Sequence, residues 1–273
     1  MNEWRFIDSG PGPGAWNLAL DEAIFQAVRK GESPPTLRLY RWSAPSLTIG
    51  YAQDRDRDVD SAACRASGID VIRRLTGGRA VLHAAEVTYS VSAPAGLPGF
   101  GTGLEEAYGR VAAGLLAGLR LLGLDLAASA AALPRPARPT RHPACFAASA
   151  RHEIVIDGRK LIGSAQRRVG GAFLQHGSIL LESHGALLAR VLRGSRDIAG
   201  EVPMAGLADL LHPAPTPEAL AAAVVAGCAS AWGVSFLPGE PSGAEELEAE
   251  ALEASRYRSE DWNARRRAGA PAP

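Results

Sequence analysis

Two dipeptides, Asp157-Gly158 and Gly170-Gly171, constrain this chain more than any other feature. Each suits a two-residue type I′ turn, in which both central residues take positive φ. They predict two consecutive hairpins from Glu153 to about Leu181, pairing Val155 with Lys160 and Gln166 with Gln175. On a regular ladder Lys160, Ile162, Ser164 and Gln166 share one face, with Gln175 and Gly177 opposite. That face is polar where a core face would be apolar, so the hairpins are expected to border a site.

Upstream, Leu20, Ile24, Ala27 and Val28 recur at helical spacing from about Asn17, with Asp21 and Glu22 in the first turns and Gly31 after the end. Strand-like runs follow at 37–42, 46–51, 69–75, 80–83 and 86–91, with a short helix at 59–66 after the second. Leu104 to Leu124 reads as a long apolar-striped helix. Downstream come helices at 186–193, 217–232 and about 245–255; the second has Thr216 as its cap, Pro217 at its first position and Gly233 beyond. Strands and helices interleave without strict alternation, which predicts an α+β fold. The expected organisation is one catalytic domain over 1–263 and a disordered tail at 264–273.

The 273 residues carry no net formal charge, which argues against a nucleic-acid binder. No run of eighteen apolar residues and no basic, apolar leader is present, so neither a membrane span nor export is expected. The three cysteines, Cys64, Cys145 and Cys228, form neither a disulfide framework nor a metal pattern. A cytoplasmic protein without metal or cofactor is the expectation.

Of the 29 basic residues only two are lysines, Lys30 and Lys160. In a chain that uses arginine wherever a cation suffices, lysine is chosen for being compact and able to lose its proton. Lys30 precedes Gly31 at a helix end, where any cation serves; Lys160 lies inside a hairpin. Cys145 ends a Pro- and Arg-rich loop, in Arg141-His142-Pro143-Ala144-Cys145-Phe146, where nearby positive charge favours thiolate. Arg73-Arg74-Leu75-Thr76-Gly77-Gly78-Arg79 ends a strand in two arginines and two glycines, a place for backbone to approach a ligand; His83 closes the next strand. Each feature also has an ordinary reading: a small buried hydrophobe, a plain Gly-Gly hairpin, a strand-end histidine, a lysine on an outer face.

Together these segments resemble the lipoate-protein ligase and octanoyltransferase family, which shares its catalytic fold with biotin ligases. The resemblance rests on Arg73-Arg74-x-Thr76-Gly77-Gly78, on Gly158-x-Lys160-x-x-Gly163-Ser164-Ala165-Gln166 and on Gln175-His176-Gly177, in that order. It implies a mixed, mainly antiparallel sheet flanked by helices, and an acyl pocket lined by Arg74, Thr76, Gly77, Gly78, His83, Gly163, Ser164, Ala165, Gln175, His176 and Gly177. It also implies catalytic roles for Cys145 and Lys160. A cysteine in a Cys-Phe context fifteen residues before the lysine is similar to the ligase-like octanoyltransferases. Ala84 stands where the family often has an acidic residue, which disfavours metal-nucleotide binding and hence an ATP-dependent ligase.

The reaction implied is ping-pong. The Cys145 thiolate takes octanoyl from acyl carrier protein, with Lys160 lowering the thiol pKa. The lysine of a lipoyl-bearing protein, such as the glycine-cleavage H protein, then takes it from the cysteine. Arg135, Arg138, Arg141, Arg167 and Arg168 offer charge for an acidic carrier protein. The rivals are an ATP-dependent lipoate ligase, an amidotransferase between lipoyl proteins, and a silent acyl-binding module.

Overall fold

The computed structural model describes residues 2–124, 154–194 and 203–264. In chain order these are β1 (Asn2–Gly12), α1 (Gly14–Lys30), β2 (Thr36–Trp42), β3 (Ser46–Ile49), α2 (Arg55–Asp58), α3 (Ser61–Ala66), β4 (Asp70–Arg73), β5 (Val81–His83) and β6 (Glu86–Pro94). Then come α4 (Leu104–Leu121), β7 (Ile154–Ile156), β8 (Arg159–Val169), β9 (Ala172–Leu180), α5 (Gly185–Val191), α6 (Pro217–Trp232), β10 (Val234–Pro238), α7 (Gly243–Leu252) and α8 (Glu260–Ala264). The α+β class is as expected. The tail from 265 onward lies outside the described residues.

Seven strands form one sheet in the order β10-β1-β2-β6-β9-β8-β7, and three form a second in the order β4-β3-β5. The large sheet is mixed: β1 runs parallel to both β2 and β10, while β2, β6, β9, β8 and β7 pair antiparallel. Both predicted hairpins form, with Val155 opposite Lys160 and Gln166 opposite Gln175. Neither β1 nor β10 was expected, since parallel pairing between distant segments leaves no local turn signature.

Strand alternation divides the large sheet into two chemically distinct faces. Leu37 and Leu39 of β2, Val87, Tyr89 and Val91 of β6, and Phe173 and Ile179 of β9 join Val111, Leu115 and Leu119 of α4 and Leu220, Val224 and Cys228 of α6 in the main core. The other face carries Arg38, Glu86, Thr88, His176 and Ser178, all buried. Over this polar face lie α1 and the small sheet. α1 packs Leu20, Ile24 and Val28 with Tyr40, Trp42 and residues of α7, whereas the small sheet closes with α5 around Leu47, Leu82, Leu188 and Met204.

β4 and β5 do not form a hairpin. β3 runs between them, so the Thr76-Gly77-Gly78 connection passes over its end. There Gly50 meets the loop: a Cβ at this position would fall on the carbonyl oxygen of Gly78.

Candidate active site

The register of β8 determines where Lys160 points. Val155 pairs with Lys160 but Ile154 pairs with Ile162, so Leu161 is an extra residue, a β-bulge. Leu161 and Ile162 both enter the main core. The bulge therefore puts Lys160 on the opposite side, together with Gly163 and Ala165. The segment after 202 holds it there: Lys160 N donates to Pro203 O (2.9 Å) and Lys160 O accepts from Ala205 N (3.0 Å). Lys160 is buried, at 3% exposure.

The same bulge removes Lys160 from the face it was expected to share with Ile162, Ser164 and Gln166, which do lie together. The Ser164 and Tyr89 hydroxyls lie 2.6 Å apart, Gln175 Nε2 donates to Tyr89 Oη (3.1 Å), and Gln166 Nε2 donates to Gln175 Oε1 (2.8 Å). This chain runs on the Tyr89 side of the sheet, facing the main core. A Cβ on Gly177 would strike the Gly163 carbonyl oxygen and crowd Tyr89, so the back face requires this glycine. The side chains of Ser164, Gln166 and Gln175 thus support the sheet from behind. Those of Ala165 and His176 face forward.

A narrow cleft opens on the forward face, between the large sheet, α1 and the small sheet. Leu18, Tyr40, Trp42 and Val81 supply apolar wall, and the strand segments Gly163–Ala165 and His176–Ser178 supply its floor. Its polar side chains include Thr48, Arg74, His83 and His176. His83 is stacked on Trp42, with ring centroids 3.9 Å apart.

Arg73 and Arg74 are both buried and point to different partners. Arg73 Nη1 donates to the carbonyls of Gly50, Tyr51 and Gln53, while Nε and Nη2 donate to those of Trp262 and Asn263. Arg74 Nη2 donates to Gly77 O (2.6 Å) and Arg79 O (2.8 Å), fixing the glycine turn. Its Nε donates to Thr76 Oγ1 (3.2 Å), and its Nη1 to Thr48 O (3.3 Å) and Oγ1 (3.2 Å). These five bonds engage the guanidinium on every side. Arg74 borders the cleft, but its donors are directed at the protein.

Two carboxylate–imidazole–hydroxyl chains meet at this arginine. In one, Asp21 Oδ2 lies 3.3 Å from His176 Nδ1, and His176 Nε2 lies 2.6 Å from Thr76 Oγ1. In the other, Glu86 Oε1 lies 2.7 Å from His83 Nδ1, and His83 Nε2 lies 2.8 Å from Thr48 Oγ1. Burial pushes the His176 imidazole below its usual range and outweighs the nearby Asp21. Burial would raise the Asp21 carboxyl, but Arg38, at 2.7 Å, and His176 hold it below its ordinary value. The pair is thus a neutral ring beside a charged, compensated carboxylate.

Asp21 corrects the sequence reading. α1 begins at Gly14, so Asp21 and Glu22 lie inside the helix and are buried, and its first turn carries no acid. Glu22 bonds Tyr257 Oη (2.7 Å) and Arg256 near the C-terminal helices. Sequence reasoning also assigned no role to Glu86, Thr48 or Trp42. A signal was available in β6, where Glu86, Thr88, Ser90 and Ser92 alternate with apolar residues and mark the polar face.

Cys145 lies outside the described residues, as do Arg135, Arg138 and Arg141. The other two thiols are buried. Burial raises the Cys64 thiol to about 11, with Asp60 adding to the shift, and burial alone raises Cys228 further. Among the described residues no cluster of His, Cys, Asp and Glu could hold a metal ion, and no helix is long and apolar enough to cross a membrane.

Comparison with known proteins agrees with this architecture. The octanoyltransferase LipM of Kyrpidia tusciae is 41% identical over 97% of this chain and 100% of its own length. That of Symbiobacterium thermophilum is 43% identical over 96% and 98%. Among solved structures, lipoate-protein ligase A bound with ATP superposes with a TM-score of 0.78 at 26% identity, covering 96% of this chain and 98% of the other. Protein Ta0514 of T. acidophilum, solved with bound lipoic acid, gives the same TM-score and identity over 96% and 99%. The model of the lipoyl protein ligase A/B catalytic domain matches residues 13–229. This chain belongs to the lipoyl protein ligase A/B catalytic-domain family.

Proposed function

We propose that the protein is an octanoyltransferase of lipoate biosynthesis. It moves octanoyl from acyl carrier protein, through a thioester on Cys145, to a lysine of a lipoyl-domain protein such as the glycine-cleavage H protein. Near-full-length similarity to octanoyltransferases supports the activity. The observation that carries the site assignment is the β8 bulge, which turns Lys160 to the face of the sheet on which Gly163 and Ala165 floor the cleft, although Lys160 is not itself among the residues that line it. Cys64 and Cys228 are sealed and held as thiols, which favours Cys145 as nucleophile.

In the first half-reaction the Cys145 thiolate attacks the carrier thioester, and the carrier leaves as its thiol after taking a proton. In the second, the acceptor amine attacks the acyl-cysteine, loses its proton and releases Cys145. Lys160 serves both halves as a small cation near the sulfur: it favours thiolate during attack and as leaving group. Backbone N–H groups near Gly77, Gly78 or Ala165 receive the developing oxyanion, a contribution on the order of 3 kcal/mol per donor. Thioester to thioester to amide runs downhill, so ATP is not consumed.

Intact-mass spectra after incubation with octanoyl carrier protein test the scheme. An octanoyl adduct is expected in the wild type and not in Cys145→Ala. An adduct that survives the substitution refutes the nucleophile; octanoyl or lipoyl adenylate formed from free acid and ATP indicates a ligase instead.

A further inference from the structure

The two chains that meet at Arg74 fix more than side-chain positions; they also fix protons. A guanidinium only donates, so Arg74 Nη1 must donate to Thr48 Oγ1, 3.2 Å away. A proton on His83 Nε2, 2.8 Å from the same oxygen, would place a second donor there beside a permanent positive charge. The Thr48 hydroxyl proton therefore goes to Nε2. At the other end of the ring, a carboxylate oxygen 2.7 Å from Nδ1 requires a hydrogen between them. Neutral His83 is thus the Nδ1–H tautomer, with Ser178 Oγ 3.2 Å from the same nitrogen. The Asp21–His176–Thr76 chain follows the same logic through Arg74 Nε.

Glu86 carries the cleft end of this arrangement. It is 2% exposed, and its Oε1 accepts from both His83 and the Thr88 hydroxyl (2.6 Å). Thr88 Oγ1 in turn receives the Trp42 indole N–H (2.8 Å), the same Trp42 on which His83 stacks. One carboxylate oxygen thus orients three cleft residues, while Glu86 Oε2 has no hydrogen-bond partner among the described residues.

We propose that Glu86 is a positioning residue for acyl transfer: it holds His83 as the Nδ1–H tautomer and so keeps Thr48 and Arg74 in the arrangement that shapes the Gly77–Gly78 turn. The catalytic part of this inference rests on the octanoyltransferase reading. Glutamine at this position retains an acceptor in place of Oε1 and puts its amide nitrogen in place of Oε2, whereas leucine removes the acceptor.

Long-range proton–nitrogen NMR of protein labelled with 15N-histidine, with His83 assigned by His83→Gln, reads the tautomer directly. The wild type and Glu86→Gln are expected to carry the His83 proton on Nδ1, and Glu86→Gln to keep kcat within about threefold of wild type. Glu86→Leu is expected to reduce the Nδ1–H population and lower kcat about tenfold or more, with KM for octanoyl carrier protein changed less than about threefold. An Nε2–H ring in the wild type overturns the proposal. So does Glu86→Leu with wild-type kcat, or a tenfold loss in Glu86→Gln with the tautomer retained. Should Glu86→Leu fail to fold, the wild type and Glu86→Gln still decide. A wild type that transfers no octanoyl group refutes the functional reading alone, and the ring tautomer remains a test of the hydrogen-bond chain.

Discussion

Val155 and Lys160 stand opposite each other across β7 and β8, and the next pair is Ile154 with Ile162, so Leu161 has no opposite number. That one unmatched residue puts the scarce lysine on the face of the sheet that carries the cleft. The site is tight, since Lys160 is 3% exposed. Arginine would keep the charge but bring a wider, more rigid head that cannot give up a proton. Lys160→Arg should lower octanoyl transfer about a hundredfold or more, roughly 2.7 kcal/mol in the barrier. A turnover assay showing near-normal rates would reduce this lysine to a screening charge.

Asp21 compensates Arg38 at 2.7 Å, and both are 1% exposed. Asp21→Asn keeps the shape and leaves the guanidinium without its counter-charge. A buried pair broken on one side costs about 3 kcal/mol or more. Urea unfolding should therefore show a clearly lower midpoint at unchanged slope, and an unaltered midpoint would contradict the pairing.

Acid should weaken the fold in two stages. Burial holds the folded His176 below the ordinary 6.5, so the unfolded chain binds its proton first. The associated stability is complete above about pH 6.5 and is lost as the pH falls below it. Asp21, held below 3.8 in the fold, adds stability that is present above that value and lost as the pH falls further. Melting curves of His176→Gln between pH 7.5 and 5 should show a flatter decline than the wild type. Parallel curves would remove this ring from the acid response.

Adding one methyl group should act with opposite sign at two glycines. In Gly50→Ala the new Cβ meets the Gly78 carbonyl oxygen, displacing the turn that Arg74 holds. A loss of about 1–3 kcal/mol is expected, together with most of the activity. Gly109, exposed within α4, has open space at its Cβ, and Gly109→Ala should gain about 0.5–1 kcal/mol. Thermal unfolding of the two variants in one buffer makes the comparison.

The sequence was legible where structure is decided locally. Thr216 accepts from Ala219 N, Pro217 opens α6 and Gly233 closes it in the left-handed region, all readable from a few adjacent residues. The two hairpins were readable for the same reason. The bulge was not, because part of what holds it is the Pro203–Ala205 backbone, more than forty residues beyond Lys160. That difference separated Lys160 from the face it was expected to share with Ser164, Gln166 and Gln175. The role of Asp21 was hidden by the helix start: placed near Asn17 it is a first-turn acid, but with α1 beginning at Gly14 it is an interior charge that needs Arg38.

Arg73 and Arg74 are sequence neighbours, yet one grips the carbonyls of Trp262 and Asn263 while the other grips the glycine turn. A growing polypeptide consequently lacks part of the scaffold behind its cleft until residue 263 has emerged from the ribosome. Partly synthesised chains should therefore lack a fully formed cleft.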